Sequence, residues 1–367
     1  MKIAFCADIH IGAPNTNLSE ILSCIEDMLS QCDLLVIGGD ILDAKFHASS
    51  EYITILLDVF DYITSIARPQ RKKVRLIYGT QSHDGYPQLQ ILNPYTVLMD
   101  FKIIHHVSDE NIDGVNILYI PEEIISDKAS YYADTLYSGK KYDYIFGHGV
   151  IAEGMTMVKE RTSTKKVKSV PVFKTEELKA AVKYHVCFGH YHRRWVLDNV
   201  SYVGSLSRFK HGEPETKGWY LMDKRNIEFH ENQWCPQYTE HRINCSDYDI
   251  NDFQTLIMDK INQFKSNSND RDKLKFTITI NRSAGNTIGY LDIIRTLCRG
   301  DGISYAINDV NDLVLQENVI DSEYDYILDQ NIPIHEKIGR YNDSEFDGTL
   351  DVDLLKNYLS KTKVSDK

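Results

Sequence analysis

The stretch VRLIYGTQSHDG, residues 74–85, places an apolar run directly before a polar cluster bracketed by glycines. The apolar part is typical of a buried strand. A surface turn needs only residues such as glycine, threonine and serine, so His83 and Asp84 add groups that can bind a metal or transfer a proton. Whether His83 and Asp84 belong to a larger site therefore depends on whether other strands of the chain end in the same way.

Four other predicted strands do end in this way. They lie at residues 3–6, 34–37, 142–146 and 185–188, and the polar residues after them are Asp8, His10, Asp40, His148, His190 and His192. Amphipathic helices are predicted at residues 18–29 and 51–66. Because an open α/β fold presents the carboxyl ends of neighbouring strands at one edge of the sheet, we expect these side chains to meet there.

The composition limits the class of protein. The chain has 367 residues, which favours two or more domains. Its N-terminal apolar run is interrupted by Asp8, which is not typical of a signal peptide, and no apolar run reaches the ~20 residues of a membrane helix. Seven scattered cysteines without a C-x-x-C pair favour a reducing cytoplasm over a disulfide framework or a zinc–thiolate site.

The net charge of −12 disfavours binding to nucleic acid unless the charges are segregated. The chain beyond residue 301 is acidic, whereas residues 71–73, 159–168 and 193–194 are basic. Each basic segment on its own is better explained as a solvated face.

A second block begins near residue 238. Helices are predicted at residues 251–264 and 287–297, and strands at 275–280 and 303–307, which indicates a small α/β domain. After residue 350 the pattern predicts a short helix with an apolar face at Val352, Leu354, Leu355, Tyr358 and Leu359. Such a helix would pack on a partner or on its own domain.

Carboxylates and imidazoles without thiolates suit a hydrolytic site for Mn, Fe or Zn. Residues two apart in an extended segment point the same way, so Asp8 with His10, and His190 with His192, are each expected to aim at one point. So many donors exceed the needs of one ion, and Asp40 is the expected bridge between two. Two ions roughly 3.5–4 Å apart can hold a hydroxide and clamp a phosphate, and His83 would protonate the leaving oxygen.

The polar residues belong to five short motifs: Asp8-Ile9-His10, Gly39-Asp40, Ser82-His83-Asp84, Gly147-His148 and Gly189-His190-Tyr191-His192. In this order they resemble the pattern of the calcineurin-like metallophosphoesterases, and in detail that of the SbcD-type DNA-repair nuclease branch of this family. Tyr202-Val203-Gly204-Ser205, Glu213 and Lys217-Gly218 resemble a later element of that branch. The resemblance is specific up to about residue 225, looser to about residue 310, and thin beyond.

The resemblance implies an α/β fold, an α+β sandwich, with a nuclease domain at 1–232 and a DNA-binding capping domain at 238–320. It also implies an acidic linker and C-terminal helix at 333–367 that could dock on an ATPase. Two divalent ions are implied, Mn2+ first and Mg2+ as the alternative. One would be held by Asp8, His10, Asp40 and His192, the other by Asp40, His148, His190 and Ser82, with His83 as the catalytic histidine.

Two positions depart from the family pattern. The family reads Gly-Asn-His-Asp, with asparagine as a ligand, whereas this chain has Ser82, a poorer neutral donor, directly before His83. Three residues after Asp40, many repair nucleases have histidine, whereas this chain has Asp43. Phosphoprotein phosphatases use an aspartate at this spacing to orient their catalytic histidine, so Asp43 is predicted to accept a ring N–H of His83.

The resemblance implies a DNA exonuclease or endonuclease of repair, recombination and replication. Its implied partners are DNA, an SbcC-type coiled-coil ABC ATPase and a second copy of the chain, without a membrane, in the cytoplasm (of the host if phage-encoded). Phosphate contacts are predicted for Lys165, Lys166, Arg193 and Arg194. Two alternatives stay open: a phosphoprotein phosphatase or small phosphodiesterase, favoured by Asp43, and a non-catalytic module that binds the ATPase, favoured by Ser82.

Overall fold

The computed structural model describes residues 1–85, 87–157, 170–280, 287–300 and 302–309. The chain divides into two compact units, Met1–Tyr238 and Thr239–Lys367. None of the helices in the described ranges combines the length and apolar character that crossing a membrane requires. All seven cysteines are free and buried. Lys165, Lys166 and the tail at 333–367 lie outside the described residues.

The first unit is built on two six-stranded sheets. Its strands are β1 (Ile3–Cys6), β2 (Leu34–Ile37), β3 (Lys73–Ile77), β4 (Asp100–Ile104), β5 (Ser108–Ile112), β6 (Val115–Ile120), β7 (Tyr142–His148), β8 (Val150–Ile151), β9 (Val172–Phe173), β10 (Val182–Gly189), β11 (Trp195–Leu197), β12 (Val200–Tyr202), β13 (Gly218–Asp223) and β14 (Asn226–Glu231). Its helices are α1 (Leu18–Gln31), α2 (Glu51–Ala67), α3 (Tyr95–Leu98), α4 (Lys128–Tyr131), α5 (Ala152–Met157) and α6 (Thr175–Ala181).

Helices α1 and α2 have apolar residues at helical spacing and a capping side chain at the N-terminus. Asn17 accepts a hydrogen bond from the backbone N–H of Glu20, and Ser50 accepts one from Tyr52. Such caps satisfy backbone N–H groups that the helix itself leaves unpaired. The buried faces of both helices pack into one apolar cluster with β1, β2 and β3. Both helices therefore cover the outer face of the first sheet.

The first sheet has the order β14–β13–β1–β2–β3–β4. Strands β1 to β4 are parallel, and β13 pairs antiparallel with both β1 and β14. The second has the order β11–β12–β10–β7–β6–β5. Strands β12, β10, β7 and β6 are parallel, and β11 and β5 pair antiparallel at its edges. The parallel strands of each sheet thus deliver their carboxyl ends to one edge.

The two sheets pack face to face through a shared apolar core. Phe5 on β1 stacks on Phe146 on β7, with ring centroids 5.2 Å apart. The neighbours of Phe5 along β1, Ala4 and Cys6, instead pack in the helix-side cluster. Strand β1 is therefore buried on both faces, which explains why it reads as a continuous apolar run rather than an alternating one.

The predicted α/β class is confirmed, but the predicted arrangement of strands needs correction. The polar residues were expected at the edge of one sheet. Instead β1, β2 and β3 belong to the first sheet, whereas β7 and β10 belong to the second. Strand patterns alone do not say which strands pair, because pairing depends on contacts between segments that are distant along the chain.

The second unit contains a three-stranded sheet in the order β15–β16–β17. Its elements are β15 (Tyr238–Asn244), α7 (Ile250–Asn267), β16 (Lys273–Ile280), α8 (Thr287–Leu297) and β17 (Ile303–Asp309). Phe253, Ile257 and Ile261 form the buried face of α7 and pack against β16, whose residues alternate between buried and half-buried. The predicted helices and strands of this block are confirmed as far as residue 309.

Candidate metal centre

The loops that follow the parallel strands of both sheets meet at the predicted residues. Within the first sheet, the backbone N–H of Asp8 donates to Gly39 at 3.0 Å, and that of His10 donates to Asp40 at 3.1 Å. Across the two sheets, the backbone N–H of His190 lies 3.1 Å from both carboxylate oxygens of Asp8. These hydrogen bonds bring residues separated by 182 positions into direct contact.

Four of the predicted ligands have a left-handed backbone. The φ angles are 52° at Asp8, 51° at His10, 50° at Asp40 and 110° at His190. Residues other than glycine rarely adopt such angles, and strain of this kind is typical of functional sites. The premise that Asp8 and His10 lie in an extended segment is therefore wrong, and the turn in the backbone, not a strand repeat, aims each side chain.

The first group of donors consists of Asp8, His10 and His192, whose ligand atoms lie within 4.8 Å of one another. The Nε2 atoms of His10 and His192 face each other at 3.1 Å. The other ring nitrogen of His10, Nδ1, lies 2.9 Å from the carboxylate of Asp43. This contact holds the ring so that Nε2 faces the centre.

A second group consists of Asp8, Asp40 and His148, all of them buried. Nδ1 of His148 donates to the carbonyl of Gly38 at 2.7 Å, so its Nε2 faces Asp40 Oδ2 at 3.2 Å. Burial opposes ionisation of Asp40, but the charge and hydrogen bond of His148 lower the pKa of Asp40 below its usual range. Asp40 therefore keeps a negative charge at the point where the two groups adjoin.

The third group consists of Glu122, His148 and His190, again within 4.8 Å of one another. His190 therefore lies with His148, whereas His192 lies with Asp8 and His10. The two histidines of the Gly-His-Tyr-His motif do not aim at one point, contrary to the expectation from their spacing. Their division between two groups agrees with the two ligand sets that the family resemblance implies.

Thr80, rather than Ser82, contacts the centre. Its backbone N–H donates to Asp40 Oδ1 at 2.6 Å, and its hydroxyl lies 3.2 Å from Asp40 Oδ2 and 3.4 Å from His148 Nε2. Ser82 is exposed in the turn that follows. The chain thus has threonine directly after Gly79, at the end of β3, and Gln81 and Ser82 lengthen the turn before His83.

His83 is oriented by Asp43, though not by the predicted atom. Nδ1 of His83 contacts the backbone carbonyl of Asp43, while the Asp43 carboxylate is bound to His10. The hydrogen bond from His10 lowers the pKa of Asp43. The His83 ring lies edge-on to that of His10, with centroids 4.9 Å apart. His83 is therefore next to the first group of donors and partly open to solvent.

Asp84 ties together the loops after β2 and β3. Its fully buried carboxylate accepts hydrogen bonds from the backbone N–H groups of Ile41, Leu42 and Gly79, each at 3.1 Å. Burial and the charge of Asp40 raise the pKa of Asp84 to about 7. Asp84 acts on the centre by fixing the backbone around Asp40.

A buried pair, Glu213 and Lys217, supports the loop of His192. Their charged groups are 3.1 Å apart, and Lys217 also donates to the backbone carbonyl of His192 at 2.8 Å. Although burial opposes it, the neighbouring His192 and Lys217 lower the pKa of Glu213 to about 2. The backbone N–H of Ser205 donates to the same carbonyl at 3.1 Å. The element beyond the last motif thus anchors the His192 loop.

Arg193 and Arg194, predicted to contact DNA, already have protein partners. Arg193 lies 3.5 Å from Glu215, and the Arg194 guanidinium lies over the ring of Phe229 at 4.1 Å. Both side chains are at least partly exposed. Their contact with DNA remains a prediction.

An open cavity of about 500 Å³ adjoins the third group of donors. Glu122 and Gly79 line it, as do the rings of Tyr78 and His105, which contact each other at a tilt of 40°. A substrate larger than a phosphate group therefore has space beside the donors.

The donors fit divalent metal ions. The two imidazole nitrogens that lie 3.1 Å apart can share one N–H···N hydrogen bond, and the same arrangement also suits a shared cation. Buried carboxylates beside them supply the compensating negative charge. Second partners fix His10 and His148 with one nitrogen towards the centre, as is usual for metal-ligating histidine.

Sequence reasoning missed Thr80, Glu122 and the role of the Asp84 carboxylate. Glu122 could have been found by the signal used for the other ligands, a polar residue just after an apolar strand. It follows β6 after a single proline. Thr80 directly follows the glycine at the end of β3, whereas motif matching had placed the ligand next to His83. The contacts of Asp84 are with backbone groups, which no sequence pattern specifies.

Comparison with known proteins supports the same class of fold and site. Residues 1–194 match the family model of the calcineurin-like phosphoesterases. The chain therefore belongs to the calcineurin-like phosphoesterase family, whose members use divalent metals, and this suggests metal-dependent hydrolysis of phosphoesters.

Similarities to solved structures are distant. TT1561 of Thermus thermophilus is 12% identical, with 63% of this chain and 99% of that chain covered and a TM-score of 0.40. GAP50, the anchor in the inner membrane complex of Plasmodium, is 13% identical, with 64% and 85% covered and a TM-score of 0.40. No curated protein matches the sequence.

Proposed function

We propose that the protein is a metal-dependent nuclease that hydrolyses phosphodiester bonds at DNA ends, and that it is the SbcD-type subunit of an SbcCD-type complex. The observation that supports this most is the convergence of two carboxylates and four imidazoles where the two sheets meet. These residues are Asp8, Asp40, His10, His148, His190 and His192. In a family of phosphoesterases, such a centre is suited to hold two divalent ions.

Bound divalent ions would polarise a phosphate and lower the pKa of the attacking water. The protein's own groups set the geometry for this chemistry. The contacts of His10 with Asp43 and of His148 with Gly38 fix which ring nitrogen faces the centre. The Asp43 carbonyl holds Nδ1 of His83, which leaves Nε2 to carry a proton to the leaving oxygen.

Two observations favour a nuclease over a phosphatase. The carboxylate of Asp43 is bound to His10 and not to His83, which weakens the argument for a phosphatase from that residue. In the element that resembles the repair branch, Ser205 and Lys217 donate to the backbone carbonyl of His192, and Glu213 pairs with Lys217. The neighbouring cavity adds space for the nucleotides on either side of the scissile bond.

The partners belong to the same proposal. A coiled-coil ABC ATPase would bind the segment at 333–367, two copies of the chain would associate, and Mn2+ would be the preferred ion. Deleting the residues after Asp347 and measuring co-purification of the ATPase tests the docking segment. Undiminished binding would exclude it.

The nuclease activity itself is tested with linear double-stranded DNA and p-nitrophenyl phosphate, each with Mn2+ and with chelator. We expect Mn2+-dependent cleavage of the DNA that is lost in Asp40→Asn, and little turnover of the small monoester. Efficient turnover of the monoester with intact DNA would favour the phosphatase. Bound metal without activity on either substrate would favour the non-catalytic module.

A further inference from the structure

We propose that Glu122 is a metal ligand of the third group of donors, beside His148 and His190, and that it takes the place of the family's asparagine. This inference rests on the proposed function only in that the centre holds metal ions. It concerns a residue that the family's ligand set, as implied by the resemblance, does not contain.

Glu122 lies where a ligand has to lie. It follows β6, which pairs with β7, the strand that carries His148. One carboxylate oxygen of Glu122 and one ring nitrogen each of His148 and His190 lie within 4.8 Å of one another. The loop is fixed, because the backbone N–H of Glu122 donates to the carbonyl of Tyr78.

The carboxylate of Glu122 is buried, and within the described part of the chain one of its oxygens lacks a hydrogen bond. Its side chain is only 8% exposed, and among the described residues Oε2 has no hydrogen-bond partner. Nδ1 of His190 lies 3.2 Å from Oε2, within ion-pair distance and close enough to lower the pKa of Glu122 against the effect of burial, but outside the angles of a hydrogen bond. A buried carboxylate oxygen is costly in this state, and a cation between the two atoms would satisfy both.

The centre needs such a ligand because its neutral donor is weak. Thr80 contacts Asp40 and His148, but it ends in a short hydroxyl where an asparagine would offer an amide oxygen. A carboxylate at Glu122 supplies both a stronger oxygen donor and a negative charge. Oxygen donors of this kind favour Mn2+ and Mg2+ over softer metals.

The adjacent Glu123 offers a matched control. Its carboxylate is similarly shielded, with 12% of the side chain exposed, but it is fully engaged. It binds His106 at 2.6 Å, the backbone N–H of Val107 at 3.1 Å and the hydroxyl of Tyr131 at 2.7 Å. Substitution of Glu123 therefore removes a buried carboxylate without touching the donors.

The test is a Mn2+ titration by calorimetry of the full chain, with elemental analysis of bound metal and no DNA present. In Glu122→Gln we expect the affinity for one of two Mn2+ ions to fall at least about 10-fold, with the other unchanged and Glu123→Gln equal to the wild type. Equal affinities in Glu122→Gln and the wild type would overturn the proposal. Failure of DNA cleavage by a wild type that binds both ions would refute the nuclease, not the ligand.

A crystal structure of the wild type with Mn2+, analysed by anomalous scattering, separates a ligand from a residue that only orients His190. An ion at about 2.2 Å from a Glu122 oxygen supports the proposal. An ion bound by His148 and His190 but more than about 3 Å from Glu122 would overturn it. This measurement decides the question even if Glu122→Gln folds poorly.

Discussion

His83 is held by the backbone of Asp43 and lies at the open side of the centre. His83 takes no part in the two close side-chain contacts of the centre, between His10 and His192 and between Asp40 and His148. A group in this position can deliver a proton to a leaving oxygen without being needed to hold metal. A donor atom of His83 also lies within 4.8 Å of one from His10 and one from Asp43. Because Nδ1 of His83 is bound to the Asp43 carbonyl, we assign His83 to proton transfer and not to metal binding.

For His83→Ala we expect kcat for DNA cleavage to fall about 100-fold or more, as for loss of a general acid, while Mn2+ binding stays close to that of the wild type. The exposed His47, in the loop before α2, gives the control His47→Ala, which should retain full activity. Cleavage kinetics and metal analysis on the same preparations check both parts. An unchanged kcat would refute the proton donor, and loss of metal would make His83 a ligand.

Among single residues, the sequence predicts the donors best where a polar residue directly follows a strand. All six predicted histidine and aspartate ligands lie in the contacting groups. Ser82 was chosen by its place next to His83, yet Thr80 makes the contacts, because the turn is longer than the motif assumes. Which atom of Asp43 reaches His83 depends on the path of the backbone, and residue identity does not encode it.

The loops that connect strands to helices approach each other closely at Gly39. This residue has a φ of +89°, and an added Cβ would lie 2.4 Å from Nδ1 of His148 and 2.8 Å from the Cα of Gly79. The absence of a side chain therefore lets the loops after β2, β3 and β7 come together. Gly114 has a similar φ of +85°, but an added Cβ there meets nothing within 4 Å.

Gly39→Ala and Gly114→Ala should both incur the cost of a left-handed alanine, about 1 kcal/mol. We expect Gly39→Ala to lose about 2 kcal/mol more in free energy of unfolding, because of the clash, and to bind Mn2+ more weakly. Urea denaturation and metal titration of the two variants measure the difference. Equal losses would mean that the close approach at Gly39 is not needed.

The elements that were predicted are confirmed because apolar spacing and caps act locally, whereas others, such as β4, β5 and β11, were not predicted. Helix α8 and the strands β1 and β2 were predicted to the residue, and α1 and α2 nearly so. The family resemblance implied a sandwich, which is confirmed, but the strand patterns did not predict which strands belong to which sheet. The division depends on residues such as Phe5 and Phe146, whose contact is distant in sequence.

The two sheets of the first unit are also joined by a buried ion pair. Arg75 on β3 forms two hydrogen bonds, of 2.8 and 2.9 Å, with Glu110 on β5. Arg75 is almost fully buried and also lies 3.0 Å from Asp100. Burial opposes ionisation of Glu110, but Arg75 and Lys102 lower the pKa of its carboxyl. This pair holds the sheets together away from the metal centre.

Because the pKa of Glu110 is lowered by folding, its contribution to stability is present above the unfolded pKa of about 4.3 and is lost as the pH falls through the lower folded value. At neutral pH, Glu110→Gln should lose about 3 kcal/mol, as when a buried pair is broken. Thermal unfolding of both proteins from neutral pH downwards should show the difference shrinking below the unfolded pKa. A difference that is independent of pH would contradict the ion pair.

The central claim is that donors from both sheets hold two divalent ions. Its most direct test is the number of Mn2+ ions bound per chain, measured by equilibrium dialysis and elemental analysis for the wild type and for Asp40→Ala. The account predicts two ions for the wild type and at most one for Asp40→Ala, because Asp40 lies where the groups adjoin. A wild type that binds no Mn2+, or an Asp40→Ala variant that binds as much as the wild type, would contradict it.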